Sequence, residues 1–258
     1  MLRAERERGR MADEARTSHE KPGAGASPVP RFGEQPLTQT VAAAAAMRRV
    51  CNLLLWLEHH HPAVDDIVDQ LAAWERELAA AVPPDPAPRI GDNAHDGQRV
   101  YLDHAADIGA YNPCFPEYVF DHADATTARG RVSFPLVYEG PPGLVHGGFL
   151  GVFFDCVVQQ HCCRTGVAGK TRSMDITYRR PTPILTELDF EITRSVLDRQ
   201  VQSSARLLVR DEVLCSALVR TVAVPLDQMS TTRYGKRRAH PTTATAGLLS
   251  AERGERNR

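Results

Sequence analysis

Hydrophobic positions along this chain recur with two different periods, and the switch between them divides it. Over residues 37–60 apolar side chains return at helical intervals (Met47, Val50, Leu53, Leu54, Leu57), behind a polar Thr38-Gln39-Thr40 start suited to capping. Residues 64–81 repeat the pattern, with Ile67, Leu71, Trp74 and Leu78 at i, i+4, i+7 and i+11. The two segments read as an antiparallel helical hairpin over 37–82, whose apolar faces should dock on later sheet, on each other or on a second subunit. The PPDPAP run from Pro83 is a stiff spacer, and residues 83–111 keep no period. From residue 112 onward the interval drops to two. Strands are predicted at 118–122, 127–137, 172–179, 187–197, 201–210 and 213–224. In 172–179, Arg172, Met174, Ile176 and Tyr178 alternate with Ser173, Asp175, Thr177 and Arg179. The connections Asp198-Arg199-Gln200 and Asp211-Glu212 are tight, so the last three strands form an antiparallel meander. Residues 1–36 and 227–258 are polar and aperiodic, which predicts disordered ends. The opening MLRAERERGR is unlike folded sequence and leaves Met11 as a second candidate start.

One long apolar stretch, expected to be a helix over 148–165, interrupts the strands. A helix with so little polar surface must be wrapped by the sheet around it, which makes the predicted class α+β. A turn of Pro141, Pro142 and Gly143 leads into His146-Gly147-Gly148 at its start. N–H groups in the first helical turn have no partner inside the helix, and glycine lets a ligand come close to them. The helix dipole adds partial positive charge there. Such a site suits an oxygen that gains negative charge during acyl transfer.

Asp155 is the lone acid in this apolar helix, and a carboxylate there calls for a partner. Seven positions separate it from Gly148. The two share a helix face about 10 Å apart along the axis, too far for one small carbonyl to touch both. Two antiparallel copies of the helix would bring the amide of one near the carboxylate of the other, which predicts a site shared across a two-fold dimer. A plainer reading stands beside it: Asp155, Gln159 and Cys162 follow helical spacing and could be a solvated stripe. His146 taken alone is more often a turn or packing histidine than a catalyst.

Composition narrows the field. With 258 residues and a net charge of −1, there is room for one substantial domain with extensions or two small ones, and no electrostatic footprint for nucleic acid. The six cysteines, at 51, 114, 156, 162, 163 and 215, form no C-x-x-C pair. No structural zinc is expected, and a reduced, cytoplasmic setting is. His59, His60 and His61 point in different directions on a helix, so a metal there is not expected either. No apolar run approaches the length of about 20 residues that a membrane span needs.

Four features together resemble hotdog-fold acyl-CoA thioesterases of the phenylacetate-pathway and 4-hydroxybenzoyl-CoA thioesterase type. They are YEGPPG from Tyr138, VHGG from Val145, an acid nine residues after His146, and MDITYRRPTP from Met174. The resemblance covers about 112–224, within a domain bounded at 112–226, and leaves out the two helices and both ends. It implies a curved antiparallel sheet around one central helix, working as a homodimer or a dimer of dimers. It implies hydrolysis of acyl-CoA without metal, and without a cofactor beyond the coenzyme A of the substrate. By that resemblance the Gly147 N–H polarises the thioester carbonyl with Gly148 nearby, and Asp155 of the partner chain activates water or attacks directly. Thr171 orients the water, and His146 braces the turn or approaches the thioester. Thr177, Arg179, Arg180, Arg199 and Gln200 fall where coenzyme A is often contacted. For the arginines a solvated edge-strand charge is the alternative, and for Thr171 an ordinary strand threonine. Some relatives carry asparagine six residues before the histidine, where this chain has Gly140. Two other functions remain open: dehydration of a 3-hydroxyacyl thioester with His146 as base, and non-catalytic binding of acyl-CoA.

Overall fold

The computed structural model describes residues 32–35, 37–82, 100–103, 108–165 and 169–223, with backbone alone at 32–35 and 100–103. Most of the expected disordered ends and of the 83–111 spacer lie outside the described residues, but residues 32–35 of the expected disordered arm form a strand. Helix α1 (Thr38–Leu55) and helix α2 (Pro62–Ala81) stand where periodicity put them. α1 starts at Leu37 without a side-chain cap, whereas the His61 ring caps α2 by accepting from Ala63 N at 3.2 Å. Two short strands, β1 (Phe32–Gln35) and β2 (Val100–Asp103), pair antiparallel in a ladder that period-two reading did not reveal.

The body is a six-stranded antiparallel sheet: β3 (Tyr118–Ala123), β4 (Thr127–Ser133), β5 (Gly169–Tyr178), β6 (Glu187–Leu197), β7 (Gln200–Val209) and β8 (Glu212–Ala223). Their spatial order is β3-β4-β6-β7-β8-β5, so the predicted meander lies inside the sheet and β5 is an edge. The strand expected at 127–137 stops at Ser133, because Pro135 has no N–H for a ladder and Leu136–Tyr138 closes into a 3-10 turn. Alternation fixes the inner face: Ala128 and Val132 of β4, Leu188, Phe190 and Ile192 of β6, and Val201, Ala205 and Leu207 of β7 are all buried.

Helix α3 (Gly147–Arg164) lies against that face and is buried on nearly every side. Phe153 packs edge-to-face on Tyr118, Phe134 and Phe190 at centroid distances of 5.6–6.2 Å. Gly130 makes room, since a Cβ there would stand 2.5 Å from the Phe190 ring and 2.0 Å from Val119 O. Phe153 and Phe154 are fully buried core, and Phe149 is only partly buried. Removing one such ring from a packed core costs about 3–5 kcal/mol, so these positions hold α3 in place.

α1 is tied to the body by Arg48. Its buried guanidinium meets Glu117 at 2.6 Å and Asn112 O at 2.8 Å. Tyr138 Oη donates to Phe115 O at 2.8 Å in the same segment, so α1, residues 108–117 and the 3-10 turn form one packed corner. α2 has no fully buried residue. Among the described residues no helix is long and apolar enough to cross a membrane.

Candidate active site

The start of α3 is built by its own sequence. Gly143 adopts φ +79°, which lets the Pro-Pro-Gly turn fold back so that Gly140 N reaches Leu144 O at 2.9 Å. His146 N then donates to Tyr138 O, and His146 caps the helix: its Nδ1 accepts from Gly148 N at 3.0 Å. This use of the ring decides which amide is available. Gly148 N–H is taken, while Gly147 N–H has no acceptor among the described residues. Gly147 O accepts from Tyr178 Oη at 3.0 Å, and a Cβ on Gly147 would stand 3.1 Å from that oxygen. Tyr178 ends β5 and is half exposed, so the phenol fixes the glycine turn from the strand side. It belongs to the site, and its place in the YRRPTP strand end was the available signal.

Asp155 lies two turns further on. Its Oδ1 accepts from Thr171 Oγ1 at 2.7 Å, and Thr171 Oγ1 in turn accepts from Gln159 Nε2 at 2.7 Å. Gln159 also reaches Thr221 Oγ1 at 3.4 Å, so the carboxylate ends a chain of hydroxyls and one amide. The solvated-stripe reading fails at Cys162, which is fully buried, and at Gln159, which is engaged. Gln159 was visible only as a helical-spacing neighbour of Asp155. The thiol of Cys156, adjacent in sequence, is pushed up to about 12, first by burial and then by the Asp155 charge, so it stays protonated and inert.

Strict alternation would put Arg172 on the helix side of β5. A bulge between Thr171 and Ser173 shifts the phase, so Thr171 shares the inner side with Met174, Ile176 and Tyr178.

The sequence-chosen residues therefore fall into two groups along β5. His146, Gly147, Gly148, Thr177, Arg179 and Arg180 gather at its C-terminal end; Asp155 and Thr171 sit near its N-terminal end. Arg199 and Gln200 belong to the second group, since Arg199 O accepts from Ala223 N and Ala223 pairs with Gly169. Along α3 Gly147 and Asp155 are eight residues, about 12 Å, apart in one chain, and their strand partners Tyr178 and Thr171 are roughly 20 Å apart along β5. Arg180 is engaged with Glu212 at 3.0 Å on the surface. Gly140 explains why asparagine is absent: a Cβ there would stand 2.9 Å from the His146 Cα. Among the described residues no three His, Cys, Asp or Glu side chains are arranged to hold a metal ion.

One solved structure decides the fold. A crystal structure of a thioesterase superfamily protein is 26% identical, with 72% of this chain and 96% of that chain covered and a TM-score of 0.58. The chain has the hotdog fold of the thioesterase superfamily. Other matches cover less of the chain. A phenylacetic acid degradation-related protein from Ralstonia eutropha is 18% identical over 41% of this chain and 84% of that one (TM-score 0.38). A hypothetical thioesterase with coenzyme A from Streptococcus pneumoniae is 14% identical over 42% and 89% (TM-score 0.40). No family model matches the sequence, and no curated protein matches it.

Proposed function

We propose that the protein hydrolyses an acyl-CoA thioester to the free acid and coenzyme A, at a site completed by two chains. The observation that carries this reading is the separation of the Gly147 amide from the Asp155–Thr171 pair along the edge strand β5. Among the described residues of one chain, the Gly147 amide has no carboxylate bonded to it, and the Asp155 carboxylate has the Thr171 hydroxyl beside it but not that amide. Pairing β5 antiparallel with the β5 of a second copy, about a two-fold axis, would lay each Thr171 end near the other chain's Tyr178 end. The same pairing would bring Arg199 of one chain toward Arg179 of the other, where two guanidiniums suit coenzyme A phosphates.

In this scheme the thioester oxygen lies on Gly147 N–H, held in place by the His146 cap and the Tyr178 phenol. Thr171 of the other chain, bonded to its own Asp155, aims a water lone pair at the carbonyl carbon. As the O–C bond forms, Asp155 of the other chain takes the water proton; the C–S bond then breaks and the thiolate takes the proton up. A thiol pKa near 8.5 makes that sulfur a good leaving group without a strong acid. The likeness to a thioesterase superfamily protein supports thioester hydrolysis in general terms. Six unpaired thiols favour a cytoplasmic setting.

The dehydratase alternative needs His146 as a base, and its Nδ1 is already accepting from Gly148 N, with no carboxylate bonded to the ring among the described residues. Thiol release from a panel of acyl-CoA esters tests the proposal. Asp155→Ala should lower turnover by roughly 10²–10⁴-fold, the usual contribution of a positioned base. Undiminished turnover in that variant defeats the assignment, and no thiol release from any ester favours a binding role.

A further inference from the structure

Thr171 has one proton to give, and its two side-chain neighbours settle where it goes. Its Oγ1 lies 2.7 Å from Asp155 Oδ1 and 2.7 Å from the side-chain amide of Gln159. An ionised carboxylate only accepts, so the Thr171 O–H donates to Asp155. The Thr171 oxygen then has nothing but lone pairs for Gln159, which turns the amide so that Nε2, and not Oε1, faces it. The same Nε2 reaches Oγ1 of Thr221 at 3.4 Å, a buried hydroxyl paired across from Thr171 on β8. Gln159 is half-buried and stands one helical turn beyond Asp155 on the same face of α3.

We propose that Gln159 is a positioning residue: its amide fixes the direction of the Thr171 hydroxyl, so that the threonine accepts from the attacking water and cannot donate to it. The inference rests on the hydrolysis proposed above and assigns a residue which that scheme leaves out. A count of hydrogens and lone pairs carries it. A hydroxyl has one proton and two lone pairs. With the proton on Asp155 and one lone pair on Gln159, a single lone pair is left, and it takes one hydrogen of the water. Asp155 Oδ2, which has no donor among the described residues, takes the other. Both water hydrogens then point away from the thioester, and an oxygen lone pair is left for the carbonyl carbon. As the O–C bond forms, the second hydrogen passes to Asp155 as a proton, while the first stays on the oxygen of the acid product. The C–S electron pair leaves with the thiolate, which takes that proton up. Without Gln159 the hydroxyl can turn and give its proton to the water, which ties up the lone pair that would attack.

Steady-state hydrolysis by the full chain tests this, with the acyl-CoA ester that the wild type cleaves fastest. Gln159→Met keeps the length of the side chain and removes the donor. It should lower kcat about tenfold, the rate equivalent of one hydrogen bond, with KM unchanged. Gln159→Glu keeps the shape better still, yet it replaces a donor with an acceptor that competes with Asp155 for the Thr171 proton. It should lower kcat further, to roughly 10²-fold below wild type. A role in packing alone predicts the reverse order. Thr171→Val removes the hydroxyl, and in that background Gln159→Met should change kcat by less than about twofold, because its route to the water is gone. A loss in Gln159→Glu no larger than in Gln159→Met, a change in KM with kcat kept, or losses that multiply in the double variant would each overturn the proposal. Asp155→Ala, measured alongside, separates the two claims. Full turnover in that variant, or no thiol release by the wild type, removes the hydrolytic scheme and this inference with it. A dead Asp155→Ala beside undiminished Gln159 variants removes the inference alone.

Discussion

At the scale of single residues, His161 shows how burial turns chemistry into pH-dependent stability. The ring is fully buried at the end of α3, where Nε2–H donates to Asp124 O at 2.7 Å and Nδ1 is without a partner. Burial is the largest effect and pushes its pKa below the ordinary 6.5, so the folded protein holds the neutral ring. The sign follows: below about 6.5 the unfolded chain binds a proton that the folded one refuses. Stability is therefore complete above that pH and is lost as the pH falls toward the depressed folded value. Asp124, in the turn between β3 and β4, acts in a separate window. The Thr126 amide, His122 and Thr127 hold its carboxyl well below the usual carboxylate range, so its share is lost only as the pH drops below about 4. Thermal melting between pH 7.5 and 5.5 should thus show a falling midpoint in the wild type and a flatter line in His161→Gln, which starts lower at pH 7.5. Parallel lines for the two proteins would contradict the account of His161.

At the scale of elements, the first turn of α3 makes the sharpest prediction. Proline is accepted at the first helical position, and His146, with φ −64° and ψ 130°, already has the extended backbone that must precede it. Gly147→Pro should therefore fold, with a shift of a few tenths of an ångström at Tyr178, yet lack the N–H. We expect a loss of roughly 10²–10³ in turnover, the effect of removing one oxyanion donor, with a melting point close to wild type. Retained hydrolysis would rule that donor out. The same elements mark what could be read beforehand. α1, the meander β6-β7-β8 and α3 were legible because each buries one face or is buried throughout, and burial writes a period into the sequence; α2 was legible from the helical spacing of its apolar residues alone. The bulge in β5 was not legible, since Thr171 and Arg172 differ only in which side of the strand they take. Nor was the strand stop at Ser133 read correctly: Val132, Phe134 and Leu136 alternate as a strand would, and Pro135 was passed over. The candidate residues of α3 stand out by the glycines and the isolated acid, whereas Gln159 carries no local signal that separates it from an ordinary helix glutamine, and Tyr178 is marked only by its place in the YRRPTP strand end.

At the scale of the whole molecule, the proposed function treats one chain as two half-sites at opposite ends of an edge strand, to be completed by a second copy. The half-sites concern catalysis, and mixing two dead proteins examines them most directly. Asp155→Ala lacks the base and Gly147→Pro lacks the donor, so each homodimer has two broken sites. A heterodimer of the two has one site with both defects and one with neither. Random reassortment makes half of the dimers mixed, so thiol release in the mixture should recover to about one quarter of the wild-type rate. A mixture as inactive as its separate components, with exchange of chains verified by mass, would contradict a site shared between chains.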